Sequence, residues 1–323
     1  MITPRLCAPA YELGECAEPV TGLPELVADP GIAAELTAPA AGFDTYRWSD
    51  AGITELMALA VGRTLAEARL PGGDIDMVLL ATDSLPRDRT AHRDVAELLD
   101  ETGIDRATVL TAGLMDCATA MVAVGTAASY VRDGTARNVL VVTGDLADRA
   151  TGGQRVVAGG AAIASDAAAS VLVSATAPGL PVRGMAHHSA PELNLGSGPQ
   201  QQLLSRIRAH RELFARLADR CPSGLGTVRG VLPSNFARNV LRLYLSEVGL
   251  GGDVLSLGNV GRIGHCLGSD PLINLADRLA QDKDAPDGAG DDDSLVLFGA
   301  GVSHLAAVLL GARPLPRRTE GAS

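Results

Sequence analysis

From Ala118 to Val131 the chain is a run of mostly small apolar residues, and after turn signals it passes into Asn138-Val139-Leu140-Val141-Val142-Thr143. The first stretch reads as a buried helix and the second as a buried strand. The same alternation recurs. Ile53 to Leu70 has apolar residues at helical spacing, stops at Pro71-Gly72-Gly73 and leads to the strand-like Met77-Val78-Leu79-Leu80-Ala81-Thr82. Glu97 to Thr102 belongs to a second short helix, Thr108 to Thr111 reads as a strand, and Val171-Leu172-Val173 begins another. Further on, a helix is expected over roughly Asn235 to Val248, another starts near Pro271, and Ser294-Leu295-Val296-Leu297-Phe298 forms a last strand. Met185 to Gln202 is the most loop-like internal stretch, suited to lining or capping a site, and Pro314 to Ser323 reads as a disordered tail. Helices alternating with buried strands imply mixed or parallel sheets covered on both faces, an α/β protein.

Composition narrows the class. Of 323 residues, 46% are hydrophobic but only 3% aromatic, and 37 are glycine, which suits two similar α/β halves built on Ala, Val and Leu. A net charge of −11 and few aromatic rings argue against nucleic-acid binding. Cys7, Cys16, Cys117, Cys221 and Cys266 are odd in number and contain no C-x-x-C pair, so neither a disulfide framework nor a metal site is expected, and a reducing cytoplasm fits. Neither a signal peptide nor a membrane-spanning stretch is read, so no membrane association is expected. Six aspartates between Asp282 and Asp293 read as a solvated loop. Arg206, Arg208, Arg211, Arg216 and Arg220 crowd one expected helix, as a docking face for an acidic partner or as a solvated face paired with Glu212 and Asp219.

Asp116-Cys117-Ala118 sets one thiol at the mouth of the small-residue helix. Unpaired backbone N–H groups and the positive end of the helix dipole favour thiolate there. Unpaired cysteines are also among the most buried residue types, so packing and chemistry both account for Cys117 taken alone.

Several segments, in order, resemble the β-ketoacyl-acyl carrier protein synthase III branch of the thiolase superfamily over nearly the whole chain. Asp116-Cys117-Ala118 is similar to its nucleophile motif, Val139 to Asp145 to the strand after it, and Ser165-Asp166-Ala167-Ala168-Ala169-Ser170-Val171-Leu172 to its Gly-Asp-Gly-Ala-Gly-Ala segment. Phe298-Gly299-Ala300-Gly301 is similar to its terminal Gly-rich turn. The resemblance implies a homodimer with the five-layer α-β-α-β-α fold. It divides the chain into an N-terminal half over 1–175, a C-terminal half over 176–313 and the tail 314–323. It also implies an oxyanion hole made by the backbone N–H groups of Cys117 and Ala300.

The departures matter as much. Family members that form carbon–carbon bonds carry Pro-His-Gln-Ala-Asn and Gly-Asn-Thr-Ser. Here the first reads Pro233-Ser234-Asn235-Phe236-Ala237, and serine cannot act as the imidazole does. In the second region, Gly258-Asn259-Val260-Gly261-Arg262-Ile263-Gly264-His265-Cys266-Leu267-Gly268-Ser269-Asp270-Pro271, Gly264-His265 falls about where the family's Asn lies. His265 and Asp270, five residues apart, could not share one helix face. Ser269-Asp270-Pro271 reads as an N-cap followed by proline at the first helical position, which leaves His265 in a Gly-rich loop that can fold back on Asp270. Asp270 as a bare helix cap and His265 as a polar loop residue are the competing readings. The arrangement resembles the acyltransferase offshoot of the family in antibiotic biosynthesis, which carries His-x4-Asp here.

That resemblance implies a Cys117-His265-Asp270 triad: nucleophile, general acid–base and the carboxylate that orients the ring. The acyl group would come from a phosphopantetheine thioester, on acyl carrier protein or coenzyme A, and pass to a hydroxyl, an amine or a second carrier thiol. No permanently bound cofactor and no metal are implied. Ser234, Asn259, His187 and His188 are candidate pocket residues, and Arg206, Arg208, Arg238 and Arg242 are candidates for carrier docking. Two rivals stand beside this reading: a condensing ketoacyl synthase, in polyketide chemistry for example, and a non-catalytic carrier-binding subunit.

Overall fold

The computed structural model describes residues 2–86, 90–195, 198–220, 225–282 and 290–318. Cys221, Gly196-Ser197, part of the Asp-rich stretch and the last five residues lie outside the described residues.

The first half runs β1 (Arg5–Leu13), β2 (Cys16–Pro19), α1 (Pro24–Ala28), α2 (Pro30–Thr37), β3 (Thr45–Trp48), α3 (Ile53–Ala68), β4 (Met77–Ala81) and α4 (Thr90–Glu101). It continues with β5 (Thr108–Ala112), α5 (Thr119–Asp133), β6 (Asn138–Asp145), α6 (Ala147–Ala150), β7 (Val156–Val157), β8 (Ala162–Ile163) and β9 (Ala167–Ser174). The second half runs β10 (Leu180–Ser189), α7 (Pro199–Asp219), β11 (Val228–Pro233), α8 (Arg238–Ser246), α9 (Asn259–Ile263), α10 (Asp270–Asp282), β12 (Ser294–Ala300) and β13 (His304–Gly311).

One pairing pattern is used twice. In the first half β1 pairs antiparallel with β9, β9 antiparallel with β6, and β6 parallel with β4; in the second, β10, β13, β12 and β11 repeat that sequence. A short antiparallel contact, Arg5 with Pro181 and Leu6 with Leu180, joins the halves into a nine-stranded sheet ending at β11 and β5. α5 packs on strands of both halves, and so does α10, whereas α3 lies on β1, β6 and β9 and α7 on β10 and β13. The order of layers is therefore α3, first-half strands, α5 with α10, second-half strands, α7: the five-layer thiolase fold. The small residues of α5 answer this position. Ala120, Ala123, Ala127 and Ala128 are buried because strands cover the helix on two sides, and large side chains there would separate the layers.

Three expectations need correcting. Met185 to Ser189 is the end of β10 rather than loop, and Pro199 onward is α7. Ser294 to Phe298 is not the last strand, since β13 returns beside it. The expected tail is anchored as far as Arg318: Leu315 and Gly179 exchange backbone hydrogen bonds, and the Arg318 N–H donates to the Thr176 carbonyl. For β10 the reason is that its mixed side chains leave no local pattern, and pairing with β13 makes the segment a strand.

Candidate active site

α5 and α10 occupy equivalent places in the two halves, and their N-termini meet. Cys117 lies in the 3-10 turn Asp116–Ala118 that runs into α5. The turn is held from both sides. Leu114 and Asp116 have φ of 62° and 49°; the Leu114 N–H donates to Asp83 Oδ1 at 2.9 Å. Asp116 Oδ2 accepts the N–H groups of Val302 and Ser303 at 3.1 and 3.2 Å.

His265 stands in the loop between α9 and α10, as the glycine-rich sequence suggests. Gly264, at φ 65°, turns the chain, and the next residue is clamped: the His265 N–H donates to the Ile163 carbonyl and its own carbonyl accepts the Ser165 N–H, both at 2.8 Å. The Ser165-Asp166 segment thus positions the ring from the first half. Its neighbour Asp166 is spent on structure, pairing with Arg155 at 3.2 Å and accepting the Ala147 N–H. The His265 ring, 1% exposed, lies edge-on to Phe236 with centroids 5.0 Å apart.

The three side chains form one line. Cys117 Sγ is 3.1 Å from His265 Nε2, and His265 Nδ1 is 2.5 Å from Asp270 Oδ2. Asp270 is fully buried. It is not the extended N-cap expected; it is the first residue of α10 at φ −48°, ψ −50°. Its carboxylate accepts the N–H of Cys266 and both the N–H and side-chain amide of Asn235, so a bare capping role does not describe it.

Burial opposes charge on His265, but the sulfur on one side and the carboxylate on the other hold its pKa up at about 10. Burial also pushes the Cys117 thiol up; His265 draws it down, while Asp270 and Asp116 add to the rise. The lowering expected from a helix N-terminus is thus outweighed by desolvation in a site that already holds carboxylates. A proton on His265 neutralises the buried Asp270, and imidazolium is the form these surroundings favour.

Residues 114–190 match the family described as 3-oxoacyl-[acyl-carrier-protein (ACP)] synthase III. Among solved structures the chain is similar to the acyltransferase ChlB3, at 18% identity and TM-score 0.79, over 96% of this chain and 97% of that one. It is also similar to 3-oxoacyl-[acyl-carrier-protein] synthase III from Aquifex aeolicus VF5, at 18% identity and TM-score 0.77 over 95% and 99% of the two chains. This is the ketoacyl synthase III fold. OleA from Xanthomonas campestris shares it at 14% identity, TM-score 0.75, over 96% and 100% of the chains. No curated protein matches the sequence.

Ser234 follows Pro233, where the resemblance implies a histidine in condensing members. It is fully buried, and its Oγ accepts the Ala300 N–H at 3.0 Å. The Ala300 amide is therefore not the free oxyanion donor the resemblance implies: a serine oxygen fits close against it. The Asn259 side chain is engaged by its neighbours. Its amide is spent on Asn274 and Asp277, and its Oδ1 accepts from Arg262 Nε. His187 is exposed, His188 faces Glu212 at 3.4 Å, and among the described residues neither ring is hydrogen-bonded to the triad.

Arg211, Arg216 and Arg220 are engaged by other elements, whereas Arg208 bonds within its own helix. Arg211 pairs with Glu247 at 2.5 Å, Arg216 and Arg220 donate to the carbonyls of His187 and Met185, and Arg208 reaches Ser205 at 3.3 Å. On α8, Arg238 is half-buried against Gly42, and Arg242 is exposed. Among the described residues, no helix is long and apolar enough to cross a membrane, and no cluster of three His, Cys, Asp or Glu could hold a metal ion. Asn235 belongs to the site although the sequence pattern places it at the start of a helix: α8 begins three residues later, and Asn235 lies in the segment that receives Asp270. Its adjacency to the altered Pro233-Ser234 motif is the signal that could have flagged it.

Proposed function

We propose that this protein is an acyltransferase working through a Cys117 thioester. The observation that carries the reading is the continuous line from Sγ through the imidazole to a saturated carboxylate, 3.1 Å and 2.5 Å long in its two links. In the first half-reaction Cys117 sulfur adds to the carbonyl of a phosphopantetheine thioester, on a carrier protein or coenzyme A. Cys117 reacts as the thiolate paired with the His265 imidazolium, and the departing pantetheine sulfur takes the imidazolium proton as its C–S bond breaks, which leaves a neutral imidazole in the acyl-enzyme. In the second, His265 removes the proton of an acceptor hydroxyl, amine or carrier thiol, which attacks the acyl-enzyme and returns Cys117.

Ser234 enters the same step. Its oxygen accepts the Ala300 N–H and keeps one hydrogen to donate, so the carbonyl oxygen meets a hydroxyl already polarised by the backbone. A condensing role is less well served, because the imidazole that the resemblance assigns to decarboxylation is replaced by this hydroxyl. The acidic composition leaves Arg238 and Arg242 on α8 as the favoured carrier contact. A homodimer is proposed through the sheet edge at β5, where Leu110 and the following Leu114 are exposed.

Incubation with acyl carrier protein thioesters and acyl-coenzyme A, followed by intact-mass analysis, tests the reading. The acyl increment is expected on the wild type, absent from Cys117→Ala, and discharged by an acceptor alcohol or amine. A β-keto product from malonyl carrier protein, with no transfer to oxygen, nitrogen or sulfur, would favour the condensing rival. Carrier binding with no adduct at all would favour the scaffold.

A further inference from the structure

Behind Asp270 lies a row of amides that the acyl-transfer chemistry does not use directly. The Asn235 N–H donates to Asp270 Oδ2 at 2.6 Å, and its Nδ2 donates to Oδ1 at 2.9 Å and to the Gly264 carbonyl at 3.0 Å. One residue therefore grips both carboxylate oxygens and the peptide that immediately precedes His265. With Cys266 N–H at 2.8 Å and His265 Nδ1 at 2.5 Å, the carboxylate has four donors. Saturation of this kind satisfies a buried carboxylate and fixes which oxygen faces the imidazole.

An asparagine amide can turn over, exchanging donor for acceptor. Here the next residue forbids it. Asn274 Nδ2 donates to Asn235 Oδ1 at 3.0 Å, so the Asn235 amino group has to face Asp270. Asn274 is oriented in turn: Asn259 Nδ2 donates to its Oδ1 at 2.8 Å. Asn259 is fixed by Arg262 Nε on its Oδ1 and by Asp277, whose other oxygen accepts Tyr11 OH at 2.7 Å. Asn235 is fully buried and Asn274 nearly so, while the Arg262–Asp277 pair at the far end is partly exposed.

We infer that Asn235 is a positioning residue of the triad, acting through Asp270 and Gly264, and that Asn274 and Asn259 act in series behind it to set its amide. The inference rests on the acyl-transfer reading for its meaning but not for its test. Outer-shell groups that orient a reactive side chain are worth roughly one to two orders of magnitude where measured at metal sites.

Cys117 reactivity is followed in the full chain by iodoacetamide alkylation at fixed pH, mapped by mass spectrometry, beside acylation by an acyl-N-acetylcysteamine thioester. Asn235→Ala is expected to slow both about tenfold, with an unchanged KM for the thioester; Asn274→Ala should have a smaller effect and Asn259→Ala the smallest. The Asn235→Ala/Asn274→Ala double variant should be no slower than Asn235→Ala alone, because the second residue works only through the first. A structural role gives a different result: losses that add and that follow each variant's fall in Tm. That outcome, or wild-type alkylation in a folded Asn235→Ala protein, overturns the inference. If Asn235→Ala does not fold, the Asn274→Ala and Asn259→Ala pair carries the same test of order and non-additivity. Normal alkylation ordering with no acylation of the wild type would keep the amide row and discard acyl transfer.

Discussion

Asp116 and Gly301 approach so closely that a Cβ on Gly301 would stand 2.2 Å from the Asp116 Cβ. The residue before the nucleophile is thereby locked to the β12–β13 turn, where its carboxylate holds two consecutive backbone N–H groups. Gly301→Ala cannot keep this contact. It should lower the acylation rate at least tenfold and lower Tm, since either the Cys117 turn or the turn carrying Ala300 has to move. Asp116→Asn keeps an oxygen acceptor, tolerates positive φ and removes a charge that raises the thiol pKa, so Cys117 alkylation at neutral pH should be faster than in the wild type. Asp116→Ala orphans both amides and should cost about 1–3 kcal/mol in denaturant unfolding.

The His265–Asp270 contact ties stability to pH. The pKa of His265 rises from 6.5 to about 10 on folding, so its contribution is present in full below about 6.5 and is lost as pH rises through about 10. Cys117, also raised, adds a loss of the same sign above its ordinary value of 9.0. Denaturant midpoints should therefore fall from neutral to alkaline pH. Asp270→Asn should flatten the imidazole's part of that fall and reduce acylation about 10³-fold, because the ring loses the partner that orients and neutralises it.

Ser234→Ala separates two roles for one hydroxyl. If the Ser234 O–H is the donor to the thioester oxygen, acylation should fall about 10²-fold with little change in KM. A faster Ser234→Ala enzyme would instead mean that the hydroxyl masks the Ala300 N–H and that the backbone is the true donor.

Asp145 offers a test away from the thiol. Burial lifts its pKa from 3.8 to about 7, against donations to Oδ1 from the Asp83 N–H, Ser84 Oγ and Thr82 Oγ1. The folded state binds the extra proton, so this contribution is present below about pH 4 and lost as pH rises to about 7, with a slope approaching about 1.4 kcal/mol per pH unit. Asp145→Asn keeps the accepting oxygen without the charge. It should abolish that slope and be more stable than the wild type at pH above about 7 in urea melts.

The comparison of sequence with structure divides along particular elements. The α5 helix and strands β4, β6 and β12 were legible because burial on both faces leaves continuous apolar runs. β10 was not, since Arg183, Gly184, His187 and His188 interrupt any pattern and only pairing with β13 makes that segment a strand. The order Cys117, His265, Asp270 was legible from spacing and resemblance. What stands behind Asp270 was not, because a buried asparagine leaves no periodic mark, and Asn235 looked like the start of a helix.

By itself, the chain's order of residues determined an alternating α/β architecture, a thiol at the head of a buried helix, and a histidine and aspartate too far apart in helical phase to share one face. Packing alone decided that α5 and α10, 151 residues apart at Thr119 and Asp270, begin at the same point in space. It also decided that Ser234 covers the Ala300 amide and that Asp116 is pinned to the β12–β13 turn. Those are long-range contacts, made when the two halves of the sheet close on one pair of helices, and no local propensity encodes which side chains will then be neighbours.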